Sequence, residues 1–582
     1  MMMDDLLQWR ALLQQPVAFH AFLLQGLLQG GWSRQPHELT AAAAREARQL
    51  LRLWLHQAPI ANETDALTLM QARGALRRVQ EGLDDSLEQL LLDALGNEGQ
   101  LDPLALGDAD RLKLALLGDA RLLTRFSLQD WSSKDPIAAM LFAIQSLDAH
   151  LLDSLSQLAL QRLAECIPAM GLADLPLALL NPLMLACHRL SYIDSPRRYD
   201  AKQKLVDQAA AILFRHGKLP GPVPPPPARN RPRLLVIGEG LREGHALFRF
   251  FAEPLRDMRQ HFDVVLLCDA SVSDATLAEL GDSAIRFAVG PDPLTLWTEQ
   301  ITALAPDVIF YPGIGMSFPT FTLSLMRLAP LQVASIGCPA ASCSAQIDAT
   351  LLFDTLTAPP GLPQPIRYNK HRLRPARAGM AMPQRQRPAD GAPIRIAVNA
   401  MAIKLNDGFL AALERVMTAS APDTELLFMP NADALETATL ARQLSTRLPA
   451  SRVIPSQDHT AYMAALAECD LVLQSFPFGG ANTTRDALDL GIPVVALDSP
   501  WLSGQTDSLL LADRGLGHLC SSHVDDYVAL AISLARPDSP QRKDIRQQLA
   551  AMAHERQVSR QGELDAGTAL FRYWQNRQGA AR

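Results

Sequence analysis

"SFPFGGANTTRDALDLGIPVVA", Ser475–Ala496, lies between the apolar runs "LVLQS" and "PVVALD". Short apolar runs on either side of a helical pattern read as strand, loop, helix and strand, the unit from which covered parallel sheets are built. Gly479 and Gly480 let a backbone approach a ligand closely. Asn482 or Thr483 is placed to cap the helix, whose free N–H groups and positive end suit a diphosphate. On local physics alone, an ordinary capped loop is an equal reading.

The same grammar extends in both directions. After residue 390, "IRIAVNA", "TELLFMP", "RVIP", "LVLQS" and "PVVALD" alternate with helical segments such as "GFLAALERVM" and "HTAYMAALAEC". Before it, "RLLVIGEG", "DVVLLCDA", "PDVIFYPG", "LQVASIG" and "ATLLFD" alternate with "GHALFRFFAEPLRDM", "LTLWTEQITAL" and "FTLSLMRLA". Two doubly wound domains in tandem are expected, with ligands at the carboxyl ends of the strands. A Pro- and Arg-rich interruption, roughly 358–393, separates them, and helical stretches near 541–553 and 561–578 close the chain. Upstream, "LPGPVPPPPARNRP" (219–232) cannot continue a helix. Residues 1–218 are rich in Leu, Ala, Gln and Arg, with apolar positions recurring at three and four, as in "ELTAAAAREARQLLRLWLHQ". The reading is therefore an all-α domain (1–218), a Pro-rich linker (219–232), a first Rossmann-like domain (233–390) and a second (391–582). No repeat of about 34 residues marks a solenoid.

Composition narrows the function. The 582-residue chain is long enough for two or three cores, and its net charge of −7 argues against general nucleic-acid binding. "MMMDDLLQWR" lacks a signal peptide's positive start, and no run of about 18 apolar residues predicts a membrane span. Seven scattered cysteines with no C-x-x-C pair fit a reducing cytoplasm, with Cys338 and Cys343 read as packing residues rather than metal ligands.

Candidate site residues cluster at predicted strand ends. Lys404 in "NAMAIKLND" is one of only eight lysines and a candidate phosphate contact, although a solvated loop lysine is the plainer reading. His459 in "PSQDHTAYMAAL" opens a helix, where capping is the default role. Glu243 and His245 in "GEGLREGHALFRFF" open the first Rossmann-like helix, can supply a base, and have Gly244 beside them. Gly313 and Gly315 mark a further loop. Neither G-x-G-x-x-G nor a Walker A sequence is present, which lowers oxidoreductase and NTPase readings.

Taken together, "REGHALFR", "PDVIFYPGIGM", "RLAPLQVASIGCPA", "IKLN" and "DHTAYMAALAECDLVLQSFPFGGANTTRDALDLG" resemble the cytoplasmic bacterial protein N-glucosyltransferases that modify high-molecular-weight adhesins. These belong to glycosyltransferase family 41 with O-GlcNAc transferase, and the resemblance covers roughly 233–535. It implies an α/β GT-B fold and metal-independent, inverting transfer of a hexose, glucose in that family, from a UDP-sugar to Asn in Asn-x-Ser/Thr sequons. It further implies an adhesin-like acceptor met in the cytoplasm before secretion, with no cofactor, nucleic acid or membrane span. By the same resemblance Lys404, Asn482 and Thr483 hold the diphosphate, and Phe478 and Gly479 belong to the same loop. His459 lies beside the nucleotide, Asp486 meets the sugar or the loop, and His245 faces the acceptor as the catalytic residue. The family's "GHPATTHS" reads here "GCPAASCS", and its "FPFGNTNG" reads "FPFGGANT". Both changes leave the sugar and the acceptor atom open, with O-linked transfer, another GT-B nucleotide-sugar enzyme and a non-catalytic scaffold as alternatives.

Overall fold

The computed structural model describes residues 87–96, 100–147, 154–238, 240–243, 245–359, 361–369, 383–386, 392–432, 434–552 and 563–580. The helical pattern at 38–57 and Gly244 lie outside them. The chain divides into two compact units: 1–208 with 401–407 and 430–456, and 209–400 with 408–429 and 457–582.

Among its described residues, the first unit is helical up to residue 208. Helices Leu128–Lys134 and Pro136–Ser146 are capped by the Ser127 and Asp135 side chains, with Pro136 in the first turn of the second. Almost the whole of Pro136–Ser146 is buried, and its Phe142 packs with Phe126 and Trp131, the three ring centroids lying 5.4–5.5 Å apart. Later segments complete this unit. Asp407 accepts hydrogen bonds from Ser154 Oγ and Arg447 Nη1, each at 2.8 Å. The short strand Ser451–Val453 packs against helix Ala434–Arg447.

The second unit carries two parallel sheets. Its first sheet has seven strands: β1 (Arg233–Ile237), β2 (Asp263–Cys268), β3 (Ser283–Arg286), β4 (Val308–Tyr311), β5 (Leu331–Ser335), β6 (Ala349–Phe353) and β7 (Gln364–Tyr368). Their order is β3-β2-β1-β4-β5-β6-β7, with Leu234 in register with Val264 on one side and Val308 on the other. In the second sheet, β8 (Arg395–Val398) lies between β9 (Glu425–Phe428) and β10 (Leu471–Leu473), followed by β11 (Val494–Leu497) and β12 (Cys520–Ser521). Strands buried along their length, such as Leu471–Leu473, are covered on both faces, as the uninterrupted apolar runs predict.

Three strands fall where none was expected: β3, β7 and the two-residue edge strand β12. β7 lies inside the Pro- and Arg-rich interruption; Pro365 is tolerated because β7 is an edge strand. β3 is the opposite edge, partly exposed, and so lacks an apolar signature. The helix expected over "FTLSLMRLA" instead spans Phe318–Ser324, with Pro319 in its first turn. The Gln332 side chain holds the following loop by accepting from Leu328 N (2.8 Å) and donating to Met326 O (3.0 Å).

Four helices of this unit carry the candidate site: α1 (Ala246–Met258), α2 (His459–Ala467), α3 (Asn482–Asp489) and α4 (Leu502–Asp513). The closing helix α5 (Ala566–Ala580) packs on α1. A Cβ at Gly567 would meet Asp257 O at 2.3 Å, so this helix contact requires glycine. Among the described residues no helix is long and apolar enough to cross a membrane.

Candidate active site

The loop "FPFGGAN" is shaped from behind by a residue of α4. Gly480 N–H and Ala481 N–H donate to the two carboxylate oxygens of Asp507, each at 2.8 Å, and Thr484 Oγ1 donates to Asp507 Oδ1 at 2.6 Å. A Cβ at Gly479 would fall 2.0 Å from Asp507 Oδ2, and one at Gly480 would fall 2.4 Å from Thr483 Oγ1 and 2.5 Å from Gln474 Oε1. Both glycines therefore admit the protein's own side chains at close range, where the sequence pointed to a ligand. Ala481, the N-cap residue of α3, has φ 50° and ψ −92°, a strained geometry costing about 1–3 kcal/mol. The Asp507 carboxylate holds it there.

Asn482 and Thr483 do not cap α3. Asn482 is its first residue, and no side chain bonds the first-turn amides from the cap position. The helix entrance keeps its positive end open to an anion, beyond the two loop amides already given to Asp507.

Behind Asn482 lies a buried ion pair that joins the two sheets' helices. Arg249 of α1 donates to Asp486 of α3 from Nη2 (2.5 Å) and Nη1 (3.2 Å), and both side chains are almost completely buried. Burial pushes the Asp486 carboxyl up, but neighbouring His459 and Arg249 outweigh it and hold it below the usual carboxylate range. His459 Nε2 stands 3.9 Å from Asp486 Oδ2, beyond hydrogen-bond distance. Asp458, not His459, caps α2 by accepting from Ala461 N. Both ring nitrogens of His459 are buried without a hydrogen-bond partner, as is Asn482 Oδ1.

His245 caps α1: its Nδ1 accepts from Leu247 N at 3.3 Å. Its ring packs on Gly240, where a Cβ would lie 2.4 Å from Cε1 and where φ is +60°. Burial, reinforced by Arg242, lowers the imidazole pKa from 6.5, so the neutral form is favoured. Asn482 Nδ2 donates to Ala246 O at 3.4 Å, which brings the loop of the second sheet to the first turn of α1.

The structure thus gathers His245, His459, Asn482 and Asp486, with Phe478, Gly479 and Thr483 on the adjoining loop. Lys404 ends a short 3-10 turn, Ala402–Lys404, that belongs to the first unit. Arg249 and Asp507 escaped the sequence reading. Arg249 carries a signal, a lone charge inside the apolar run "LFRFF", whereas Asp507 in "GQTDSLL" carries none. Cys338 is buried beside Gly313, Cys343 is half-buried with φ 60°, and all seven cysteines are free thiols. Among the described residues no group of three or more His, Cys, Asp or Glu is placed to hold a metal ion.

Two doubly wound parallel sheets in one unit define a GT-B fold. Over 98% of this chain and 99% of the other, the structure is similar to that of an O-GlcNAc transferase mutant from Thermobaculum terrenum, with a TM-score of 0.60 at 20% identity. In sequence, the chain is 26% identical over 324 residues to a UDP-glucose:protein N-beta-glucosyltransferase of Actinobacillus pleuropneumoniae serotype 5b (strain L20), covering 53% of this chain and 51% of the relative. A shorter stretch of 83 residues is 35% identical to the probable UDP-N-acetylglucosamine--peptide N-acetylglucosaminyltransferase SPINDLY of Eustoma exaltatum subsp. russellianum, 14% of this chain and 9% of that one. The chain spans about half the length of the N-glucosyltransferases it matches. No protein-family model matches it.

Proposed function

We propose that this chain is a protein glycosyltransferase that takes a hexose, glucose in the first instance, from a UDP-sugar and transfers it with inversion to Asn in Asn-x-Ser/Thr sequons. The observation that carries this reading is the convergence of α1, α2 and α3 at strand ends, where His459 and Asn482 present buried polar atoms without partners beside an uncapped helix entrance. The likeness to named UDP-glucose:protein N-beta-glucosyltransferases supports the donor and the class of acceptor.

In this reading Asn482, Thr483 and the first turn of α3 hold the diphosphate, and Phe478 and Gly479 shape the loop; Lys404 is proposed as a phosphate contact on its sequence match alone. His459 meets the nucleotide. Asp486, fixed by Arg249, sets the position of α3 and its loop. Helix dipole and cationic groups stabilise the departing diphosphate, so no divalent ion is required. Neutral His245 faces the acceptor, either as base or by orienting it, and positioning supplies much of the rate for a weakly nucleophilic amide. The acceptor is an adhesin-like polypeptide met in the cytoplasm. An O-linked outcome is the second reading, favoured by the "NTT" spelling that drifts towards the O-GlcNAc branch. Incubation with UDP-glucose and a sequon peptide, followed by mass spectrometry with site localisation, separates these outcomes. A hexose on Asn is expected, a hexose on Ser or Thr moves the enzyme to O-linked chemistry, and no mass gain with any UDP-hexose overturns the proposal.

A further inference from the structure

Two apolar strands at the centre of the second sheet each end in an amide: "IAVN" at Asn399 and "LVLQ" at Gln474. β8 and β10 are neighbours with Ala397 in register with Val472, so two residues further on Asn399 stands opposite Gln474. Parallel neighbours lie about 4.8 Å apart, and residues in register share a face of the sheet. Asn399 is 5% exposed and Gln474 1%.

Gln474 is firmly held. Its Nε2 donates to Thr484 Oγ1 (2.7 Å), whose hydroxyl donates in turn to Asp507, and its amide packs against Gly480. That arrangement leaves Gln474 Oε1 without a partner, and both Oδ1 and Nδ2 of Asn399 also make no hydrogen bond. Buried polar groups are almost always paired, and leaving three unpaired side by side is costly to the unliganded protein. The cost falls at the carboxyl ends of adjacent strands, where doubly wound sheets bind ligands.

We propose that Asn399 and Gln474 form a neutral polar floor that receives an uncharged part of the donor presenting adjacent hydrogen-bond donors and acceptors. The inference rests on the UDP-sugar reading given above and assigns to it a subsite separate from the diphosphate contacts. Asn399 can donate from Nδ2 and accept at Oδ1, and Gln474 Oε1 adds an acceptor. A pair of sugar hydroxyls and the imide edge of uracil both match that set. A diphosphate does not match it, because both side chains are uncharged amides.

The test is calorimetric titration of the full chain with UDP and, separately, with UDP-glucose, for the wild type, Asn399→Ala and Asn399→Ser. The expected result is a loss of affinity of about tenfold or more in both variants. Weaker UDP-glucose binding with unchanged UDP binding assigns the floor to sugar hydroxyls; an equal loss for both ligands assigns it to uracil. The melting temperature of the free protein should stay the same or rise in Asn399→Ala, because the substitution removes an unpaired buried amide. Wild-type affinity for both ligands in both variants, or a lowered melting temperature with unchanged affinity, overturns the inference while leaving the donor reading intact. A wild type that binds neither ligand overturns the donor reading and this inference together.

Discussion

Helices α1 and α3 both follow parallel strands of the second unit, yet their first turns are built in different ways. At α1 the cap is local: His245 folds back on Leu247 N and leans on Gly240. At α3 the cap position holds a strained alanine and no side-chain cap, and the loop is fixed instead by Asp507, reaching in from α4. A locally capped helix leaves its capping ring at the entrance, where chemistry can use it. A remotely braced loop leaves its helix end open, where an anion can use it. The Arg249–Asp486 pair ties the two entrances together.

The largest expected effect tests the first entrance. Asn is as good a helix cap as any, so His245→Asn should preserve the melting temperature yet lower turnover about 100-fold or more. Loss of stability with proportionate loss of rate would reduce His245 to a cap. Next comes the bridge. Arg249→Met leaves the Asp486 carboxylate buried without its partner and should cost about 3–5 kcal/mol in denaturant unfolding at neutral pH. The sign with pH follows from the lowered pKa of Asp486. In the wild type this group's contribution is full above the unfolded carboxyl pKa near 3.8 and is lost as pH falls through the lower folded value. The penalty of Arg249→Met should accordingly shrink in acid.

Asp507→Ala leaves Gly480 N–H, Ala481 N–H and the Thr484 hydroxyl without their acceptor, and a destabilisation of about 2–3 kcal/mol is expected with weakened UDP binding. Lys404→Ala should weaken UDP by about tenfold with little change in stability, read by calorimetry. The smallest effect sharpens the contrast most finely. Ala481→Gly relieves the positive φ and should stabilise the protein by about 1 kcal/mol. A destabilised Ala481→Gly variant would mean that the cap geometry carries no strain.

Much of this was legible in the sequence because period and punctuation report local physics. Buried strands such as "RLLVI" and "LVL" announced themselves as apolar runs, and the helix of "GHALFRFF" by its spacing. The edge strands β3 and β7 did not, since exposure and Pro365 erase the apolar signal there. At the site, the loop and the helix entrance were legible, but the side chains that crowd the loop's glycines were not. The glycines' close neighbours are Asp507 and Gln474, and Asp507 stands 23 residues beyond Thr484 on a separate helix, with nothing local to mark the contact. Asn399 and Gln474 were visible as polar residues ending apolar strands, but only the register of β8 with β10 sets them side by side.

The most direct measurement is intact-peptide mass spectrometry after incubation of the full chain with UDP-glucose and an Asn-x-Ser/Thr peptide, repeated with a panel of other UDP-hexoses. A gain of one hexose, localised to the asparagine and absent with His245→Asn, is the predicted result. An unmodified peptide with every UDP-hexose, or a sugar found only on serine or threonine, would contradict N-linked transfer.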